Sequence, residues 1–112
     1  MDPNNNCLTV SEAADGTISV VGDIDMAGGP LLEAAIEQRE AALGTTSSGD
    51  IVLDLEAVHF IDSSGLRSLL TAARRAGHRH SALTLHAVGP EIIRLLEITG
   101  TLDQFTIASR RD

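Results

Sequence analysis

The sequence contains no lysine, no tryptophan and no tyrosine, and it has only two phenylalanines and one cysteine. Because 43% of its 112 residues are nevertheless hydrophobic, a globular core must be built from leucine, isoleucine, valine and alanine. All eight basic residues are arginines, and the formal net charge is −8. This excess of acid argues against a nucleic-acid-binding protein and against an anionic membrane surface, because both need a basic face.

The single cysteine, Cys7, cannot form an internal disulfide, so we expect a reducing, cytoplasmic location. No apolar run approaches the length that spans a membrane. Residues 1–6 lack the charged start of a signal peptide, and we expect them to be a flexible leader. Residues 7–112 fit one domain.

The most distinctive segment, residues 51–76, predicts a strand, a tight polar turn and a helix. Its apolar start at residues 51–55 is typical of a strand covered on both faces. The turn at residues 62–65 has the sequence DSSG. After it, apolar residues recur at i, i+3, i+4 and i+7, which predicts an amphipathic helix whose inner face is Leu66, Leu69, Leu70 and Ala73.

The opposite side of this helix is polar, and the residues that we expect to face solvent are Arg67, Ser68, Thr71, Arg74 and Arg75. Gly77 is suited to end the helix in the left-handed conformation, which costs little without a Cβ. At the start of the helix, either Asp62 or Ser63 can accept a hydrogen bond from a free backbone N–H and act as the cap.

Capping alone is the commonest reason for such serines. A serine hydrolase is an alternative, in which Ser63 or Ser64 would be the nucleophile. That mechanism needs an activating base. The chain lacks a Gly-x-Ser-x-Gly motif, and no spacing selects a base among His59, His78, His80 and His86. We therefore predict that the protein is not an enzyme and has no catalytic residue.

Turn signals divide the first half of the chain into short elements. Asp15-Gly16 predicts a hairpin between strands at residues 7–10 and 17–22. Pro30 begins a helix that Gly44 ends. Its inner face is Leu32, Ala35, Ile36 and Leu43, with Leu31 beside them. The acidic residues that we expect to be solvated on it are Glu33, Glu37 and Glu40.

The second half of the chain continues the alternation. Residues 82–88 read as a strand, Gly89-Pro90 opens a third helix that Thr99-Gly100 ends, and residues 105–107 form a last strand. The order β-β-α-β-α-β-α-β predicts an α/β fold with a mixed sheet that carries helices. Right-handed crossovers then put the helices of successive parallel units on the same face.

Two polar groups invite a metal-site interpretation. Asp23 and Asp25 have three interpretations: a solvated acidic loop, a helix start at Asp25, or an acid–base or metal site. The last is disfavoured, because two carboxylates without further ligands make a poor site. The segment His78-Arg79-His80 offers two ligands in a loop, which are too few. We predict no metal ion and no cofactor.

The run VLDLEAVHFIDSSGLRSLL, residues 52–70, resembles the signature of the STAS domain, in particular that of bacterial anti-sigma factor antagonists. The resemblance extends to Gly-acid-aliphatic-Asp at residues 22–25. It implies that the unphosphorylated chain binds an anti-sigma factor that is a serine kinase, that phosphorylation of Ser64 ends this binding, and that a phosphatase resets the switch. It also implies a partner-facing surface that consists of Asp23, Asp25, Asp62, Ser63, Ser64, Gly65, Leu66 and Arg67.

Members of that family usually continue into a fourth, C-terminal helix. This chain ends at Asp112, so we expect that helix to be short or absent, with apolar surface exposed or used for self-association as a monomer or weak dimer. An alternative within the same family is a STAS subunit of a stress-sensing or lipid-transport complex.

Overall fold

The computed structural model describes residues 7–43, 49–79 and 81–108. The elements along these residues are β1 (Thr9–Glu12), β2 (Ile18–Val21), α1 (Gly29–Leu43), β3 (Ile51–Ala57), α2 (Ser63–His78), β4 (Leu83–His86), α3 (Pro90–Ile98), a 3-10 turn (Leu102–Gln104) and β5 (Thr106–Ala108). The predicted order of strands and helices is confirmed. The expected leader, the end of the first helix at Gly44, Ser47, Ser48, His80 and the chain end lie outside the described residues.

The strands form one sheet in the order β1-β2-β3-β4-β5. The hairpin partner β1 is antiparallel to β2, and the other neighbouring strands are parallel. Each parallel strand is added at the same edge, so right-handed crossovers bring all three helices to one face. No helix in the described part of the chain is long and apolar enough to cross a membrane.

The one-sided helix layer corrects the interpretation of β3 as a strand covered on both faces. Ile51, Leu53 and Leu55 are buried, whereas the alternate residues Val52 and Asp54 are only half-buried. Successive side chains point to opposite faces of a sheet. Since the helices cover one face, only every second residue of β3 enters the core.

Aliphatic side chains build the core, as the composition predicts. The large side chains with no exposed surface are Ile24, Leu32, Leu53, Leu55, Leu69, Leu85 and Leu96. Among the described residues the only buried aromatic side chain is Phe105. At about 1.5–3 kcal/mol for each fully buried side chain of this size, these residues supply most of the favourable free energy of folding.

The expectation that Ser68, Arg75, Glu33 and Glu40 face solvent is wrong, because α1 and α2 lie side by side. Ser68 is 6% exposed, and its Oγ donates to Glu33 Oε2 at 2.5 Å. An added Cβ at Gly29 would lie 2.8 Å from that Oγ, so the two helices approach closely here. Further along, the half-buried Arg75 forms an ion pair with Glu40. These polar side chains therefore join the helices instead of facing water.

Local turn chemistry is confirmed at Gly16 and Gly100. Gly16 adopts a φ of +92° in the hairpin turn, and Gly100 adopts a φ of +71° after α3. Beside Gly16, the Thr17 backbone N–H donates to Asp15 Oδ1 at 2.9 Å and lowers the pKa of that carboxyl. The prediction for Gly77 is wrong, because α2 continues through His78. No atom outside the helix lies within 4 Å of an added Cβ at Gly77, so no contact forces this residue out of helical geometry.

We expect Gly77→Ala to raise the free energy of unfolding by about 0.5–1 kcal/mol, because alanine is the better residue inside an exposed helix. Urea denaturation of the purified variant measures the change. The control is Gly100→Ala, which we expect to lose about 1–2 kcal/mol at its left-handed position. A loss of stability in Gly77→Ala that equals the loss in the control would contradict the helical assignment.

Candidate functional site

The serine turn, residues 62–65, forms the start of α2, and its cap is Asp62. Asp62 Oδ1 accepts a hydrogen bond from the Gly65 N–H at 2.8 Å. The Asp62 carbonyl accepts from the Leu66 N–H at 2.9 Å and so begins the helical hydrogen bonds. The open choice between Asp62 and Ser63 is thereby decided, since a cap residue lies outside the helix and Ser63 is its first residue.

A second segment, the acidic loop of residues 22–25, runs beside the serine turn. The Ile24 N–H donates to the Phe60 carbonyl at 3.1 Å, and the Asp62 N–H donates to the Ile24 carbonyl at 3.2 Å. Ile24 and Ile61 thereby form an isolated parallel bridge, and both side chains are buried. The two loops leave the carboxyl ends of the neighbouring strands β2 and β3, and this backbone pairing joins them.

Gly65 permits this close approach. An added Cβ at Gly65 would lie 1.9 Å from the Ile24 carbonyl oxygen and 2.7 Å from Ile24 Cγ2. Real Cβ atoms do not approach a backbone oxygen so closely, so any larger residue must separate the acidic loop from the helix. The glycine therefore serves packing between the two loops and not flexibility of the turn.

The two acids of the acidic loop have different surroundings. Asp25 Oδ1 accepts from the Gly28 N–H at 2.8 Å, and the Asp25 carbonyl accepts from the Gly29 N–H at 2.7 Å. Asp25 thus closes the turn that leads into α1, which itself begins four residues later at Gly29. The half-buried carboxylate of Asp23 receives no hydrogen bond or ion pair from the described residues.

The side chains of the predicted surface differ in exposure. Ser63 and Arg67 are exposed, Ser64 is half-buried, and Leu66 packs partly against the core. Neither serine hydroxyl forms a hydrogen bond with a described residue, whether a histidine or any other. Both hydroxyls therefore keep their hydrogen-bonding capacity for other molecules.

Two exposed apolar side chains next to the serine turn were not singled out from the sequence. Phe60, which lies just before the serine turn, is 51% exposed although it is apolar. Met26, which follows the acidic loop, is 75% exposed. Neither residue has a sequence signal for exposure, because their orientation depends on how the backbone of the two loops is held in the fold.

No cluster of three or more histidine, cysteine or acidic side chains that could hold a metal ion occurs in the described part of the chain. Asp25 and Asp62 each use one carboxylate oxygen to accept a backbone N–H. Each of these two carboxylates thus stabilises the turn to which it belongs.

A protein-family model described as "Mlab, STAS domain" matches residues 7–106. The match covers well over half of the chain, and the chain belongs to the STAS domain family. The mixed five-stranded sheet with three helices is the fold of structures in that family.

Relatives found by sequence and by structure agree with this assignment. The chain is 33% identical to an anti-sigma-B factor antagonist from Listeria monocytogenes over 86 residues, which cover 77% of this chain and 72% of the relative. It is similar to the crystal structure of an anti-sigma factor antagonist from Mycobacterium paratuberculosis, with a TM-score of 0.69, 30% identity and coverage of 95% of this chain and 87% of that one. The phosphorylated form of SpoIIAA from Bacillus shares the fold, with a TM-score of 0.62, 18% identity and 93% coverage of both chains.

We expect Gly65→Ala to lower the free energy of unfolding by about 3 kcal/mol, because its Cβ would overlap the Ile24 carbonyl. Chemical denaturation checks this value, with Gly77→Ala as the matched control in the same helix. Helix propensity favours alanine at both positions. Equal stability of the two variants would show that the close approach of the acidic loop to Gly65 does not stabilise the fold.

Proposed function

We propose that this protein is an anti-sigma factor antagonist whose unphosphorylated form binds an anti-sigma factor through the serine turn and the acidic loop. The observation that carries the proposal is the capped serine turn, which presents two hydroxyls without described partners beside Asp23 and Asp25. The names of the relatives in Listeria and Mycobacterium support it. The surface that we assign to the partner consists of Asp23, Asp25, Asp62, Ser63, Ser64, Gly65, Leu66 and Arg67.

Phosphorylation of Ser64 is the proposed off switch. A phosphate adds about −1.5 to −2 charges at neutral pH. The carboxylates of Asp23, Asp25 and Asp62 already make this region acidic, so the added charge is costly to desolvate in an interface. The backbone N–H groups at the start of α2 favour a nearby anion. The modified surface is therefore tolerated by the fold and unfavourable for the partner.

The choice of Ser64 over Ser63 rests on the resemblance of the DSSG turn to the family motif. Ser64 is the less exposed of the two serines, so a kinase must approach the turn closely to reach it. The proposed partners are an anti-sigma factor with serine kinase activity and a phosphatase. The kinase reaches the turn because it is itself the binding partner, and the phosphatase removes the phosphate. We propose that residues 7–112 act in the cytoplasm as one STAS domain, as a monomer or weak dimer.

A serine hydrolase is the less favoured alternative. A serine nucleophile needs a base within hydrogen-bonding reach. Among the described residues no histidine donates to or accepts from the hydroxyl of Ser63 or Ser64. We therefore expect no turnover of ester or phosphoester substrates.

We expect Ser64 to be phosphorylated when the protein is incubated with ATP and a purified anti-sigma factor kinase encoded in the same genome. Mass spectrometry of the modified peptide identifies the position. Ser63→Ala should still be modified, whereas Ser64→Ala should not. Modification of Ser63 alone, or of Ser47 or Ser48, would contradict the assignment.

We expect Ser64→Ala to bind the same kinase as tightly as the wild type, because a half-buried serine contributes little packing. Ser64→Asp should bind roughly a hundredfold more weakly if the unpaired charge costs about 3 kcal/mol in the interface. Calorimetry measures both affinities, and circular dichroism checks that both variants are folded. Equal affinity of the wild type and the Ser64-phosphorylated protein would rule out the switch.

A further inference from the structure

Exposed apolar side chains flank the serine turn on two sides. Six large hydrophobic side chains are exposed among the described residues, and two of these, Met26 and Phe60, adjoin the bridge between the loops. The Phe60 carbonyl accepts from the Ile24 N–H, and Met26 follows Ile24 by two residues. With 3.8 Å between successive Cα atoms and about 5 Å between paired strands, the Cα atoms of Met26 and Phe60 lie within roughly 13 Å. Both fit within the footprint of one protein partner.

The backbone holds these two side chains outward. Phe60 lies between Val58 and Ile61, which are 1% and 5% exposed. Its carbonyl is fixed by the hydrogen bond from Ile24. Since its neighbour in the bridge points into the core, the Phe60 ring points away from it. A rigid aromatic side chain on a fixed backbone loses little conformational entropy when a partner binds it.

Met26 occupies the tip of an equally restrained turn. Two hydrogen bonds to Asp25, from the Gly28 and Gly29 N–H groups, close this turn. An added Cβ at Gly28 would lie 2.7 Å from the Asp23 carbonyl oxygen and 2.9 Å from Leu8 Cβ, so the turn is packed against the domain. Met26 therefore combines a fixed backbone with a flexible thioether side chain, which adapts well to an apolar recess.

Three carboxylates and one arginine give the surface around these two side chains an acidic balance. The Asp23 carboxylate has no hydrogen bond or ion pair from a described residue. Asp25 and Asp62 keep one carboxylate oxygen each, because the other accepts a backbone N–H. A partner that covers Met26 and Phe60 must therefore bring positive charge to the rim, or it leaves a carboxylate without compensation.

We propose that Met26 and Phe60 are the apolar anchors of this surface, and that the anti-sigma factor receives them in an apolar recess bordered by arginine or lysine, one of which pairs with Asp23. The inference rests on the proposed function. It also gives a physical reason for the location of the switch, since a phosphate on Ser64 adds charge beside side chains that must lose water to bind. Apolar anchors at the centre of an interface with a charged rim commonly dominate its affinity.

The test uses the purified anti-sigma factor that phosphorylates Ser64, with unphosphorylated full-length variants and calorimetry. Met26→Ser and Phe60→Ser should each raise the dissociation constant at least about tenfold. Ile98→Ser is the matched control, because Ile98 is 75% exposed like Met26 but lies at the end of α3. The control should bind within about twofold of the wild type. Circular dichroism of every variant separates loss of binding from loss of fold. If Phe60→Ser fails to fold, the result for Met26→Ser decides the test.

Salt dependence separates the anchors from the charged rim. The losses in Met26→Ser and Phe60→Ser should be equal at low and high salt, whereas Asp23→Asn should flatten the dependence of affinity on salt. Binding of both anchor variants within twofold of the wild type would overturn the inference. So would a loss in Leu31→Ser alone, which would favour the hollow between β1 and α1.

The outcome for Ser64 distinguishes this inference from the function on which it rests. If phosphorylated Ser64 abolishes binding while the anchor variants bind normally, the anti-sigma antagonist function stands and the anchors are wrong. If phosphorylation leaves the affinity unchanged, the switch itself fails. If no anti-sigma factor of the same genome binds the unphosphorylated chain, the proposed function and the inference fail together.

Discussion

The backbone bridge between Ile24 and residues 60–62 is the constraint on which the site depends. Two hydrogen bonds of 3.1 and 3.2 Å join loops that are more than thirty residues apart in the chain. The bridge forms because parallel strands β2 and β3 end at the same edge of the sheet, where ligand and partner sites of α/β folds commonly lie. It also requires a residue without a side chain at position 65, since the Ile24 carbonyl occupies the space that a Cβ would need.

This arrangement suits a switch that changes a surface without changing a fold. The apolar side chains of Ile24 and Ile61 anchor the bridge in the core. The carboxylates of Asp25 and Asp62 hold the starts of α1 and α2 through backbone N–H groups. The backbone beneath the serine turn is therefore held in place. A charged group added to one of its serines would face solvent or a bound partner.

The sheet and the layer of helices hold the two loops in place. The helices lie on one face of the sheet, and polar contacts between α1 and α2 keep the helices in register. The bond from Ser68 to Glu33 lies where the two helices are close together, and Gly29 leaves room for it. Because α1 follows the acidic loop and α2 follows the serine turn, any shift between the helices would be transmitted to both loops.

The sequence by itself determined the elements and their order, because apolar periods and turn residues act over a few neighbouring positions. Asp15-Gly16, Pro30 and Gly89-Pro90 marked turns and helix starts that the structure confirms. The motif at residues 62–65 was sufficient to indicate the STAS domain family, which the family match shows. Local chemistry wrongly predicted that α2 ends at Gly77, since a glycine that meets no tertiary contact can remain helical.

Only the tertiary structure decided which side chains are buried between elements and which are exposed beside the serine turn. Ser68 and Glu40 looked solvated on isolated helices, yet the pairing of α1 with α2 engages both. The strand β3 looked covered on both faces, yet the direction of the crossovers leaves one face without helices. Met26 and Phe60 carry no signal of exposure in the sequence, because their orientation follows from how the backbone of the two loops is held: Phe60 by its bond to the distant Ile24, and Met26 by the turn that packs against the domain.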